Sequence, residues 1–89
     1  MSNFYKPVGA ELTADDSSVA SYIRNARNVR AVNTNASTAY LVTLFDSDNN
    51  TLGSMTLAPL ETVIIPKATN EKVFSANSAV KFTKVSQPK

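Results

Sequence analysis

Thr38-Ala39-Tyr40-Leu41-Val42-Thr43-Leu44-Phe45, the loop Asp46-Ser47-Asp48-Asn49-Asn50 and the return Thr51-Leu52-Gly53-Ser54-Met55-Thr56-Leu57 decide the fold. Two runs rich in β-branched, aromatic and aliphatic residues flank a cluster of Asp and Asn. Those two residue types turn a chain by hydrogen-bonding their own backbone, so the pattern is that of a β-hairpin. Side chains alternate along a strand, which puts Tyr40, Val42 and Leu44 on one face and Leu41, Thr43 and Phe45 on the other. Both faces are largely apolar, which predicts a central strand covered on both sides. In the return strand Leu52 falls on the opposite face from Met55 and Leu57, and Gly53 marks a bulge or a close backbone approach.

Outward from this hairpin the same punctuation recurs. Val29-Arg30-Ala31-Val32-Asn33 alternates and stops at the turn cluster Asn33–Ser37. Ala58-Pro59 turns the chain into the β-branched run Glu61–Ile65, which Pro66 ends near a sheet edge. After Lys67-Ala68-Thr69-Asn70 come a short strand over Lys72–Ser75 and a last one over Ala79–Val85. Residues 1–10 read as an N-terminal arm or edge strand, because Pro7 cannot donate to a central ladder; residues 86–89 are a tail. Residues 17–28 are the one stretch where a short helical turn competes with strand or irregular turn. There Asp16 or Ser17 can cap, and Val19, Ala20, Tyr22, Ile23 and Ala26 are weakly spaced as a helix face. Six to seven short strands at this spacing predict an all-β domain over residues 1–89, a small antiparallel β-sandwich or flattened barrel. Consecutive short loops favour hairpins.

Composition excludes most chemistry. The 89 residues contain no Cys and no His. A disulfide is therefore impossible, and Ser or Thr has no ordinary base to activate it. Asp15 with Asp16 and Asp46 with Asp48 are the paired carboxylates, and both pairs fall in loops. Asp46 begins like a calcium loop, but Thr51 and Leu57 occupy the sixth and twelfth positions, where glycine and glutamate are required. Gly9 and Gly53 are the only glycines, too few for a phosphate cradle. No catalytic, cofactor or metal site is expected. A net charge of +2 is a weak electrostatic footprint, and Ser, Thr and Asn supply about a third of the chain. Arg24, Arg27 and Arg30 are spaced by three, so on a helix they would form one basic stripe for a partner protein or for phosphate. Phe4 and Tyr5 are the other candidate partner contacts, with exposed aliphatic positions of the edge strands.

From Val29 onward the wording resembles short proteins of marine tailed phages, of the cyanophage myovirus type. The residues that carry the likeness are 29–34 (Val-Arg-Ala-Val-Asn-Thr), 39–44 (Ala-Tyr-Leu-Val-Thr-Leu) and 52–57 (Leu-Gly-Ser-Met-Thr-Leu). Residues 61–67 (Glu-Thr-Val-Ile-Ile-Pro-Lys), 72–83 and the opening Tyr5-Lys6-Pro7-Val8-Gly9 extend it over most of the chain. The resemblance implies a structural, virion-associated protein, decorating a capsid or belonging to the neck or tail, and it carries no site residues with it.

The expected function is accordingly a non-enzymatic assembly protein of a phage virion. Its expected partners are further copies of itself, a trimer or higher being favoured although no residue pattern sets the number, and other virion proteins. A small nucleic-acid-binding β module using Arg24, Arg27 and Arg30 is the first alternative, with little aromatic stacking surface to support it. A carbohydrate- or host-surface-binding module is the second. No apolar run of signal-peptide or membrane-spanning length follows Met1, so the expected place is the virion, or the host cytoplasm during assembly.

Overall fold

The computed structural model describes residues 6–14, 22–23 and 25–86. Seven strands follow one another: β1 (Lys6–Pro7), β2 (Asn28–Asn33), β3 (Tyr40–Phe45), β4 (Thr51–Leu57), β5 (Thr62–Pro66), β6 (Lys72–Phe74) and β7 (Val80–Ser86). They form two antiparallel sheets, a four-stranded one in the order β1-β7-β2-β5 and a three-stranded one in the order β4-β3-β6. The all-β sandwich expected from the patterning is the fold of the described residues.

The core lies between the sheets, because alternation sends every second residue inward. Val29, Ala31 and Asn33 of β2 meet Val80 and Phe82 of β7 and Ile65 of β5 on one wall; Val42, Leu57 and Val73 come from the other. Ile23 and Ala26, fully buried, pack into the same cluster together with Ala14.

The connections depart from the expected run of hairpins. Only β3 and β4 are sequential neighbours in one sheet. Each of the other links, from β2 onward, crosses between sheets. A short turn can do this when one residue accepts a left-handed backbone, as Leu60 does (φ 64°) in the link from β4 to β5.

Asn33 holds the crossovers together. It is completely buried. Its Nδ2 donates to the carbonyls of Thr38 (2.8 Å), Leu57 (3.2 Å) and Ala58 (3.3 Å), and its Oδ1 accepts from the Asn35 N–H (2.9 Å). One side chain thus ties the exit of β2 to the exit of β4. Such buried carbonyls would be costly if left unpaired.

Three further expectations need correction. β3 is central in its sheet but is not covered on both faces. Val42 is buried inward, whereas Leu41 on the outer face is 54% exposed and only Phe45 finds an aromatic neighbour, Phe74, with ring centroids 6.2 Å apart. Two layers give each sheet one covered face and no more. The helical turn within 17–28 is also absent where the chain is described. Ala26 N–H bonds back to Tyr22 and Ile23, but Ile23 (φ 47°) and Asn25 (φ 56°) are left-handed, which a right-handed helix cannot accommodate, and β2 starts at Asn28. Residues 15–21 and 24 lie outside the described set. Finally, Leu52 does not point away from Met55. The register passes from Leu44↔Gly53 to Phe45↔Thr51, so Leu52 is the extra residue of a β-bulge and the alternation is reset there.

Candidate interaction surface

Of the three arginines, Arg27 and Arg30 are described, and they line different recesses. Arg24, like Phe4 and Tyr5, lies outside the described residues. Arg30 sits in β2 on the outer face of the four-stranded sheet, in a shallow recess with Pro7, Gly9, Glu11, Thr83 and Val85. Its Nη1 is 3.9 Å from Glu11 Oε2, an exposed pair that contributes little. Arg27 precedes the strand and lines a different recess, with Asn25, Asn28, Thr69 and Lys84. The spacing of three gathers side chains on a helix and separates them where a turn enters a strand.

The carboxylates are engaged in shaping the chain. Asp46 Oδ1 accepts from the N–H groups of Asp48 and Asn50, both at 2.9 Å, and Oδ2 accepts from Asn50 Nδ2. The hydrogen bond from the Asn50 backbone, then those from Asp48 and the Asn50 side chain, hold the Asp46 carboxyl below the usual carboxylate range, against a partial desolvation. Asn49 takes the left-handed position of the loop (φ 65°), and its Oδ1 accepts from Lys72 Nζ, which also stands 5.7 Å from the centre of the Tyr22 ring. This is turn chemistry, and among the described residues no group of three or more Asp or Glu is placed to share a metal ion.

Glu61 and Glu71 repeat one device. In Ala58-Pro59-Leu60-Glu61 the Glu61 N–H bonds the Ala58 carbonyl (3.0 Å), and Glu61 Oε1 accepts from the Ala58 N–H (2.8 Å). In Ala68-Thr69-Asn70-Glu71 the same two bonds measure 3.0 and 2.7 Å. A reciprocal Ala-x-x-Glu turn thus stands at each end of β5. The spacing is plain in the sequence, but its meaning appears only with the hydrogen bonds.

Lys67 is the chain's unusual cation. It follows Ile65 at a two-residue interval, so β5 aims it toward the core, where it is buried at the end of the sandwich. Its Nζ donates to the carbonyls of Glu71 (2.9 Å) and Ala68 (3.2 Å). Burial pushes its pKa down to about 8; Glu71 opposes this and Lys84 adds to it. The ammonium closes the second Ala-x-x-Glu turn from inside.

A groove lined mainly by aliphatic side chains lies elsewhere. Between β4 of one sheet and β5 of the other runs an open groove of about 330 Å³, lined by Val42, Leu44, Leu52, Met55, Ile64 and Val73. Leu52 is 51% exposed and Met55 44%, and Leu60 and Leu41 stand out nearby in the chain. Leu52 and Met55 are aliphatic positions of an edge strand, the class anticipated as contacts. The groove itself was not legible, because it needs the knowledge that the turn at Ala58–Glu61 changes sheets. Among the described residues no helix is long and apolar enough to cross a membrane. Compared with known proteins, the chain matches no family model, no curated protein and no solved structure.

Proposed function

We propose that this chain is a non-enzymatic assembly protein, a structural component of a phage particle in its capsid decoration, neck or tail, acting through protein–protein contacts. One observation carries the contact reading. The polar groups that could do chemistry are occupied in turns, as at Asp46, Glu61, Lys67 and Glu71, while large apolar side chains stand at the surface at Leu41, Leu52, Met55 and Leu60. Leu52 and Met55 line one groove, while Leu41 stands on the outer face of the same sheet and Leu60 in the turn, and exposed apolar side chains of this kind are what partner surfaces offer. The phage assignment rests on the wording of residues 29–83 and on the opening segment. It places the protein in the virion, or in the host cytoplasm during assembly.

The test is biochemical. Phage particles carrying this gene are banded in a density gradient and digested, and peptides of this chain are quantified against the major capsid protein. A constant ratio across the particle band is expected. Peptides found only in the soluble lysate fractions would sink the virion reading.

A further inference from the structure

Three neighbouring strands of the four-stranded sheet each run out in a cation on the core-facing side. β2 turns Val29, Ala31 and Asn33 inward, and two residues before Val29 the same parity falls on Arg27. β7 turns Val80 and Phe82 inward and then reaches Lys84, the register partner of Val29. β5 turns Ile65 inward, also opposite Val29, and then reaches Lys67, whose N–H extends the ladder by donating to the Arg27 carbonyl (2.9 Å). Arg27, Lys67 and Lys84 are therefore gathered at one end of the sheet. Like charges oppose one another there, and Lys84 is one of the groups that hold the Lys67 pKa down. The carboxylate that works against this is Glu71, whose Oε1 already accepts from the Ala68 N–H.

A recess of about 360 Å³ opens at this end. Arg27 and Lys84 supply its charge, Asn25, Asn28, Thr69 and Ser86 supply amides and hydroxyls, and no carboxylate lines it. Elsewhere in the chain asparagine side chains build turns, as those of Asn33, Asn35, Asn50 and Asn77 do. Asn25 and Asn28 differ, because neither side chain has a hydrogen bond to any described residue. The Arg27 guanidinium has no carboxylate within ion-pair reach either, since Arg30 with Glu11 is the single ion pair among the described residues.

We propose that this recess is an anion site for a dianionic phosphate group, that of inorganic phosphate or of a small phosphorylated molecule. The two lining cations match the charge of such a group, about −1.5 to −2 at pH 7, and its three strong acceptor oxygens suit the donors present. Those donors are a planar guanidinium fork, an ammonium, two amides and two hydroxyls. A carboxylate has about half the charge and one oxygen fewer, and leaves part of the donor set idle. Lys67 does not line the recess, and its ammonium acts by adding to the field that draws an anion in. The recess is of the size of small-ligand sites, so a phosphate there leaves space for an attached organic group. A bound anion also relieves the repulsion among the three cations. The inference depends neither on the contact reading above nor on the phage assignment.

The test is a titration of the isotope-labelled protein with inorganic phosphate at about pH 7.5, where the dianion prevails. Amide shifts are followed by NMR, with sodium chloride of equal ionic strength as the reference. Saturable shifts at Arg27, Asn28, Thr69 and Lys84 are expected, with a Kd at or below about 1 mM. Arg27→Gln and Lys84→Gln should each weaken binding by about tenfold or more, because each removes a charged hydrogen-bond donor. Arg30→Gln, on the outer face of the same sheet, should leave the Kd within about twofold. Glycerol phosphate is the second probe. Tighter binding than inorganic phosphate assigns the site to a phosphorylated molecule, and weaker binding assigns it to the free ion. Shifts that chloride reproduces, no saturation by about 20 mM phosphate, or a Kd indifferent to both Arg27→Gln and Lys84→Gln overturns the proposal.

Discussion

The two long sides of the sandwich are closed in different ways. On one side β7 is flanked by the N-terminal segment. β1 pairs Lys6 with Ser86, Val8 bonds Lys84, and Leu12 exchanges both backbone bonds with Phe82. The segment then crosses to the other sheet, where the Ala14 carbonyl accepts from Ser75. On the other side β4 and β5 stand next to each other with only the turn at Ala58–Glu61 joining them, and the apolar groove between them is open. A sandwich of this size has enough chain to seal one side. The lesson is that stability and contact can be assigned to opposite sides of one small core.

The sharpest way to break that comparison is to hollow the sealed side. Phe82 is completely buried and paired through its backbone to both Leu12 and Ala31. Phe82→Ala is expected to cost about 3–5 kcal/mol in urea unfolding; Leu52→Ala on the open side, already half-exposed, should cost under about 1 kcal/mol. Similar losses from both would mean that the groove is not open in solution. Next comes Asn33, where the ends of both sides meet. Asn33→Ala leaves the Leu57 and Thr38 carbonyls without their donor, and a loss of about 2–3 kcal/mol is expected. A loss below about 0.5 kcal/mol would show that water replaces the amide.

Smaller effects come from pH. Lys67 has a folded pKa near 8, below its ordinary 10.5, so the unfolded chain holds the proton more tightly. Its charged form therefore opposes folding below about pH 8, and this opposition is relieved as pH rises from there toward 10.5. Wild-type stability should gain on that of Lys67→Met across this window; parallel curves would contradict the burial described for β5. The least effect belongs to the exposed Asp46. Its lowered folded pKa means that its contribution is present above the ordinary value of 3.8 and is lost as pH falls through the folded one. Asp46→Asn should flatten that acid limb.

Strand positions were largely readable because period-two alternation and turn residues are local signals. The edge role of Pro7 and the β-branched run closed by Pro66 are examples. What was not readable depends on partners distant in sequence. Asn33 looks like any turn asparagine until Thr38, Leu57 and Ala58 converge on it. A five-residue link can close a hairpin or change sheets, and composition alone does not separate the two. Leu41 reads as core because it is apolar, yet no third layer covers it. The arginine stripe assumed a helical period for a stretch that enters a strand.

One feature of the connectivity also sets a clock. Since β3–β4 is the single sequential pairing, nearly every other contact requires loops to close across the core, and long-range pairing is slow. Isolated hairpins form in about 1–10 μs, but a topology of this kind folds in milliseconds to seconds. During that interval the hairpin presents β4 on a particle still lacking its second sheet. Dilution-jump refolding should therefore be slow and concentration-dependent. The long exposed strand β4 is then formed before the core that stabilises it.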